Sequence, residues 1–196
     1  MENIHFDEPF YIDPVTLQPA VSGIPLPTYG NFGGAGYSQG VFALNPDPAQ
    51  FDPVPIDALD QLFQIHDRAY TVGATPSDLA AADVGLIRGI AALDQSQLDP
   101  EANLYGGAAT LAVIEHLEET DSLGLITQEE LVGTTTEALQ DIERGFAGLS
   151  TGEIFETIDW LSDVANATAL ESADTASGLS IDSAGLQELQ YDWPFI

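Results

Sequence analysis

The chain has 196 residues, 44 % of them hydrophobic, with 32 acidic against three basic side chains, a formal net charge of −29 and no cysteine. That length and apolar share suit one compact domain with a real core. The charge excludes nucleic acid as a partner: Arg68, Arg88 and Arg144 are the only permanent cations, and phosphate binding needs Lys and Arg to displace counterions.

The missing cysteines rule out a disulfide framework. No apolar run reaches the roughly 18 residues of a membrane span, so no transmembrane segment is expected. The N-terminal MENIHFDEPFYIDP lacks a basic region followed by an apolar one, so it does not read as a cleaved leader. The expectation is export without a cleaved N-terminal signal, into a medium of high salt or millimolar calcium. Self-repulsion among the acids is relieved there by screening.

Residues 1–28 are rich in proline and aromatics without a sustained period, and read as an extended arm packed on the domain. Residues 29–40, YGNFGGAGYSQG, form a tight glycine loop, and 41–54, with Pro46, Pro48 and Pro53, a second loop. No alternating strand pattern follows residue 40.

The pattern then turns helical. Ile56, Leu59, Leu62, Phe63 and Ala69 share one stripe. After a turn, Thr75 caps and Pro76 opens a second helix over 76–94, with Leu79, Ala82, Leu86, Ile87 and Ile90 inward. Asp99-Pro100 starts a third near 100–118. Thr127 with Glu130, and Ser150 with Glu153, read as capping boxes opening helices near 128–147 and 151–170. A short helix is expected near 183–190. The fold class is mainly α, organised as an arm over 1–28, a core over 29–94 and a helical extension over 95–196.

His66 and Tyr70, four apart, point the same way on the first helix, and Asp67 lies about 100° round the cylinder. The short turn makes the second helix antiparallel. His66 and Asp83 then fall at similar depth from the turn, at a rise of about 1.5 Å per residue. Helices packed roughly 8–10 Å apart let Asp83 reach the His66 ring. A histidine oriented by a carboxylate is half of a hydrolytic site, and without a serine nucleophile elbow water is the nucleophile. By itself His66 reads more readily as a buried structural histidine. The glycine loop with Asp67 offers calcium the oxygen donors it takes.

These residues together carry a resemblance. Tyr29-Gly30-Asn31-Phe32-Gly33-Gly34-Ala35-Gly36 resembles the calcium loop of secreted-type, calcium-dependent phospholipases A2. Pro55-Ile56-Asp57-Ala58-Leu59-Asp60 and His66-Asp67-Arg68-Ala69-Tyr70 resemble its P-x-D-x-L-D and H-D-x-x-Y elements, and Ala82-Asp83 its second helix in cysteine-free members. The resemblance covers roughly residues 29–90. It implies a core of two antiparallel catalytic helices, with His66 as the base that activates water, Asp83 orienting it and Tyr70 steadying Asp83. It implies calcium as cofactor, held by Asp67 and the carbonyls of Phe32, Gly34 and Gly36. The implied activity is hydrolysis of the sn-2 ester of glycerophospholipids at a bilayer or micelle surface. The alternative is a non-catalytic, calcium-dependent lipid-binding or adhesive module.

The family's half-cystine positions are occupied here by Gly33, Leu62, Phe63 and Ala69, among others, so packing must replace the staples. Phe32, Tyr37 and Phe42 are the expected lipid contacts. His5 and His116 read as surface or incidental. Residues 119–130 loosely match an EF-hand loop but read as a joint between helices. The sequon Asn166-Ala167-Thr168 lies in an expected helix, and the aromatic tail 191–196 reads as packed on the domain.

Overall fold

The computed structural model describes residues 3–12, 19–20, 24–34, 37–38, 41–42, 52–70, 74–158 and 160. The described residues are mainly helical: α1 (Ala58–Ala69), α2 (Pro76–Ala91), α3 (Pro100–Glu119) and α4 (Gln128–Gly148), with a further helical stretch at 151–158. The remainder of the helix expected to 170, the helix at 183–190, the sequon and the tail lie outside the described residues.

The expected arm is a sheet. β1 (Ile4–Ile12) pairs antiparallel with both β2 (Pro19–Ala20) and β3 (Ile24–Tyr29). The β1–β3 register slips between His5, opposite Thr28, and Phe10, opposite Leu26. That irregularity breaks the two-residue alternation by which a strand is recognised. β4 (Tyr37–Ser38) and β5 (Val41–Phe42) form a second, two-residue pairing beyond the loop.

Each helix begins where a side chain caps it. Asp57 accepts from the Asp60 amide at 2.8 Å, so α1 starts after Ile56, which is left 46 % exposed and off the core stripe. Thr75 and Asp78 close a full capping box on α2. Thr127 caps α4, but the Glu130 side chain does not return to the cap. It accepts from Arg88 Nε at 2.6 Å, tying α4 to α2. The joint over 119–130 is a helix stop. Asp121 takes a φ of +55°, a left-handed conformation that aspartate tolerates, and the Ser122 amide donates to Leu117 O at 2.7 Å.

Close contacts give the helix directions. A Cβ on Gly89 would lie 2.7 Å from Leu62, while His66 meets Asp83, so α1 and α2 run antiparallel. Gly106 faces Ile90 and His116 faces Asp83, which makes α3 antiparallel to α2. Gly107 sits against Ala138 and Ile142, and Gly145 against Leu104 and Pro100, so α4 returns along α3. One apolar cluster, from Ile4, Tyr29 and Phe32 through Leu59, Phe63 and Ile87 to Val113 and Leu117, spans both sides of residue 94. Burying each such side chain contributes about 1.5–3 kcal/mol.

The sheet is tied to α3 by a carboxylate. Glu101 Oε2, buried in the first turn, accepts from the main-chain amides of Ile4, at 3.2 Å, and Asn3. Burial pushes its carboxyl up to about 7 from the ordinary 4.5. The Asn3 amide opposes this and the neighbouring Glu153 carboxyl adds to it. Between those values the folded chain keeps a proton that the unfolded chain has lost. The stability this group contributes is therefore fully present below 4.5 and lost as pH rises through about 7. Glu101→Gln should flatten the fall in Tm between about pH 5 and 7.5 relative to the parent chain, because it removes the titrating group. Equal slopes in the two proteins would assign the fall to other groups.

Candidate active site

α1 places its functional side chains by its cap and its stripe. Asp60, Phe63 and Asp67 recur at three- and four-residue spacing on one buried face, and His66 stands beside them. The loop from Tyr29 to Gly34 lies on that face. Asp60 Oδ1 accepts from the amides of Asn31 at 3.0 Å and Phe32 at 2.8 Å, while Oδ2 accepts from Ile56 at 2.9 Å. Burial pushes the Asp60 carboxyl up, and these three amides pull against it. Tyr29 donates its hydroxyl to Asp57 and stacks on Tyr105 at 5.2 Å between centroids, with Phe63 edge-on to both rings.

Backbone conformation requires glycine at two loop positions. Gly30 has a φ of +55°, and a Cβ there would lie 2.7 Å from the Asp60 carboxylate. Gly34 has a φ of +146°, with Thr28 and Tyr37 each 3.1 Å from where a Cβ would stand. Gly33 is held close instead by Tyr29, whose Cβ and carbonyl oxygen lie 2.7 and 2.8 Å from where a Cβ would stand, with the Phe63 ring at 3.1 Å.

At the far end of α1, His66 Nε2 lies 2.8 Å from Asp83 Oδ1, and Tyr70 donates its hydroxyl to the same oxygen at 2.7 Å. His66 and Asp83 are each about 98–99 % removed from solvent. A carboxylate only accepts, so the neutral His66 ring carries its proton on Nε2 and leaves Nδ1 as the basic nitrogen. Nδ1 has no hydrogen-bond partner among the described residues, and Asp67 Oδ1 lies 3.7 Å from it. At that distance Asp67 is an electrostatic neighbour rather than an acceptor. Burial pulls the His66 ring down, but Asp67 and Asp83 together outweigh it and raise the ring above the ordinary histidine value. Burial, then the Asp83 charge, pushes the Tyr70 phenol up, so it remains a donor.

The structure thus brings His66, Asp83 and Tyr70 together and sets Asp67 beside them. Phe32 and Gly34 lie in the loop on the same helix; Gly36 falls outside the described residues. Phe32 is fully buried, so it makes no lipid contact. Among the described residues the exposed apolar side chains nearest in sequence to α1 are Val54, Ile56 and Ile65. Tyr37 is half-buried, and the Phe42 side chain lies outside the described residues.

The donor set fits calcium in chemistry. Asp67 is only 6 % exposed and lies 3.7 Å from His66 Nδ1. No group of three or more His, Asp or Glu side chains among the described residues could hold a metal. A cation here therefore depends on main-chain carbonyls, which calcium accepts. The Gly34 carbonyl already accepts from the Tyr37 amide at 3.0 Å and retains a second lone pair.

His116, expected to be incidental, is 5 % exposed, and its Nε2 lies 3.7 Å from Asp83 Oδ2. The signal was its spacing: it follows Val113 by three residues and precedes Leu117 on the buried face of α3. No family model, no curated protein and no solved structure matches the chain, so the local likeness to phospholipases A2 rests on these residues alone.

Proposed function

We propose that the chain is a calcium-dependent phospholipase A2, with α1, α2 and the loop as its catalytic core, cleaving the sn-2 ester of glycerophospholipids at a membrane or micelle surface. The observation that carries this reading is the buried His66–Asp83–Tyr70 arrangement, which leaves His66 Nδ1 as an unpaired base beside a carboxylate. Asp67 and the carbonyls of Phe32 and Gly34 would hold calcium, with Gly36 added by resemblance. Its chemistry, when bound, is positive charge at the ester oxygen on which negative charge develops.

The chain's own residues do the rest. His66 Nδ1 takes a proton from a water molecule as the water oxygen attacks the ester carbon. Asp83 Oδ1 holds the Nε2 proton and stabilises the imidazolium that forms. Tyr70 donates to that oxygen throughout and fixes the carboxylate plane. The imidazolium then returns the Nδ1 proton to the departing glycerol oxygen, yielding a fatty acid and a lysophospholipid.

The test is fatty acid release from zwitterionic phospholipid micelles, labelled at sn-2, with calcium and with excess chelator. Release should require calcium. Asp67→Asn should weaken calcium binding, read by calorimetry, and slow release together, because it removes the charged oxygen donor of the set. A full rate in chelator would overturn the calcium role. Calcium binding without any release would overturn the enzyme and favour the lipid-binding or adhesive module.

A further inference from the structure

A second histidine reaches the same carboxylate from a third helix. Asp83 is 1 % exposed, and its Oδ1 is shared by His66 and Tyr70. Oδ2 has no hydrogen-bond donor among the described residues. His116 Nε2, carried by α3, lies 3.7 Å from it. A buried carboxylate oxygen left without a donor is costly. A closure of under about 1 Å would bring this contact to hydrogen-bond length.

We propose that His116 is a positioning residue of the site: its Nε2–H faces Asp83 Oδ2 and holds that carboxylate in the orientation that keeps Oδ1 on His66 and Tyr70. Tautomer chemistry supports this, since a carboxylate can only accept and the ring must offer it a proton. Electrostatics supports it too. Burial keeps the His116 ring below the ordinary histidine range, Asp83 pulls the other way and His66 adds to the lowering, so His116 serves as a neutral donor. Oδ1 is fixed by His66 and Tyr70 on α1, and a donor from α3 closing on Oδ2 would leave Asp83 unable to turn about its side-chain bond without breaking a contact. His116 does not reach the reacting atoms and acts through Asp83 alone. Its kinetic consequence rests on the proposed hydrolase, while its geometry does not.

The test has a spectroscopic and a kinetic arm, both on the full chain. Long-range proton–nitrogen correlation spectra of the unmodified protein should show His116 as the Nε2–H tautomer; the Nδ1–H tautomer overturns the proposal. The imidazole proton shared by His66 and Asp83 should resonate far downfield, assigned by its loss in His66→Gln. It should move in His116→Met, which fills the space without a donor, and stay in place in His116→Gln, whose amide reaches Asp83. Equal spectra for the Met and Gln variants overturn the proposal as well. In the kinetic arm, His116→Met should lower kcat about tenfold at unchanged KM, with His116→Gln restoring most of it. In an Asp83→Asn background His116→Met should cost nothing further, because the group it acts through is gone. A fully additive loss overturns the positioning role. If the unmodified protein releases no fatty acid, the hydrolase reading fails and the spectra still decide the role of His116.

Discussion

His66→Gln is expected to reduce fatty acid release by about 10²–10⁴-fold, the range over which a positioned general base accelerates a reaction. Glutamine can still donate an amide hydrogen to Asp83 Oδ1, where His66 Nε2 now stands at 2.8 Å, so the buried carboxylate keeps a partner. What disappears is the basic nitrogen on the other edge of the ring. The fold should therefore persist, with an unchanged far-ultraviolet spectrum and a Tm close to that of the parent. The loss should fall on kcat, since the ring acts on the proton in transfer and, being buried, contributes little to holding lipid. Release within tenfold of the parent, in a folded variant, would remove His66 from the chemistry.

The largest effect on stability should come from two glycines on the α3–α4 seam. A Cβ on Gly107 would stand 2.5 Å from the Ala138 carbonyl oxygen and 2.8 Å from Ile142 Cγ1; one on Gly145, 2.5 Å from the Leu104 amide nitrogen and 2.6 Å from the Pro100 oxygen. Three of these four neighbours are backbone atoms, so no side chain can swing aside, and the helices must separate. Overpacking of this kind costs about 1–3 kcal/mol or more, against a gain of about 1 kcal/mol when alanine replaces glycine in a helix. Gly107→Ala and Gly145→Ala should each lower Tm, by about 2–4 °C per kcal/mol of net loss. Gly85→Ala and Gly133→Ala are the controls: nothing lies within 4 Å of either Cβ, so both should raise Tm. If all four substitutions shift Tm in the same direction, the close approach of α3 to α4 is refuted.

The helices were legible because their signals are local. Asp57, Thr75, Asp99 and Thr127 cap as their residue types dictate, and the apolar spacing fixes which face turns inward. Depth along two antiparallel helices was enough to bring His66 to Asp83. The N-terminal sheet was not legible. β1 loses its alternation at the bulge between His5 and Phe10, and its partner β3 carries Pro25 and Pro27, residues that mark a loop in most contexts. Glu130 looked like half of a capping box, and its choice of Arg88 depends on how α4 crosses α2. His116 was missed for the same kind of reason: its spacing on α3 signals burial, but the carboxylate that gives it meaning sits on another helix.

The Asp60 anchor gives the loop a different chemical vulnerability. One carboxylate gathers three main-chain amides, from Asn31, Phe32 and Ile56, and so pins the glycine loop to the start of α1 without a covalent bond. A thiol reagent finds nothing there to cleave. The loop geometry is therefore indifferent to glutathione, and it forms without an oxidising step.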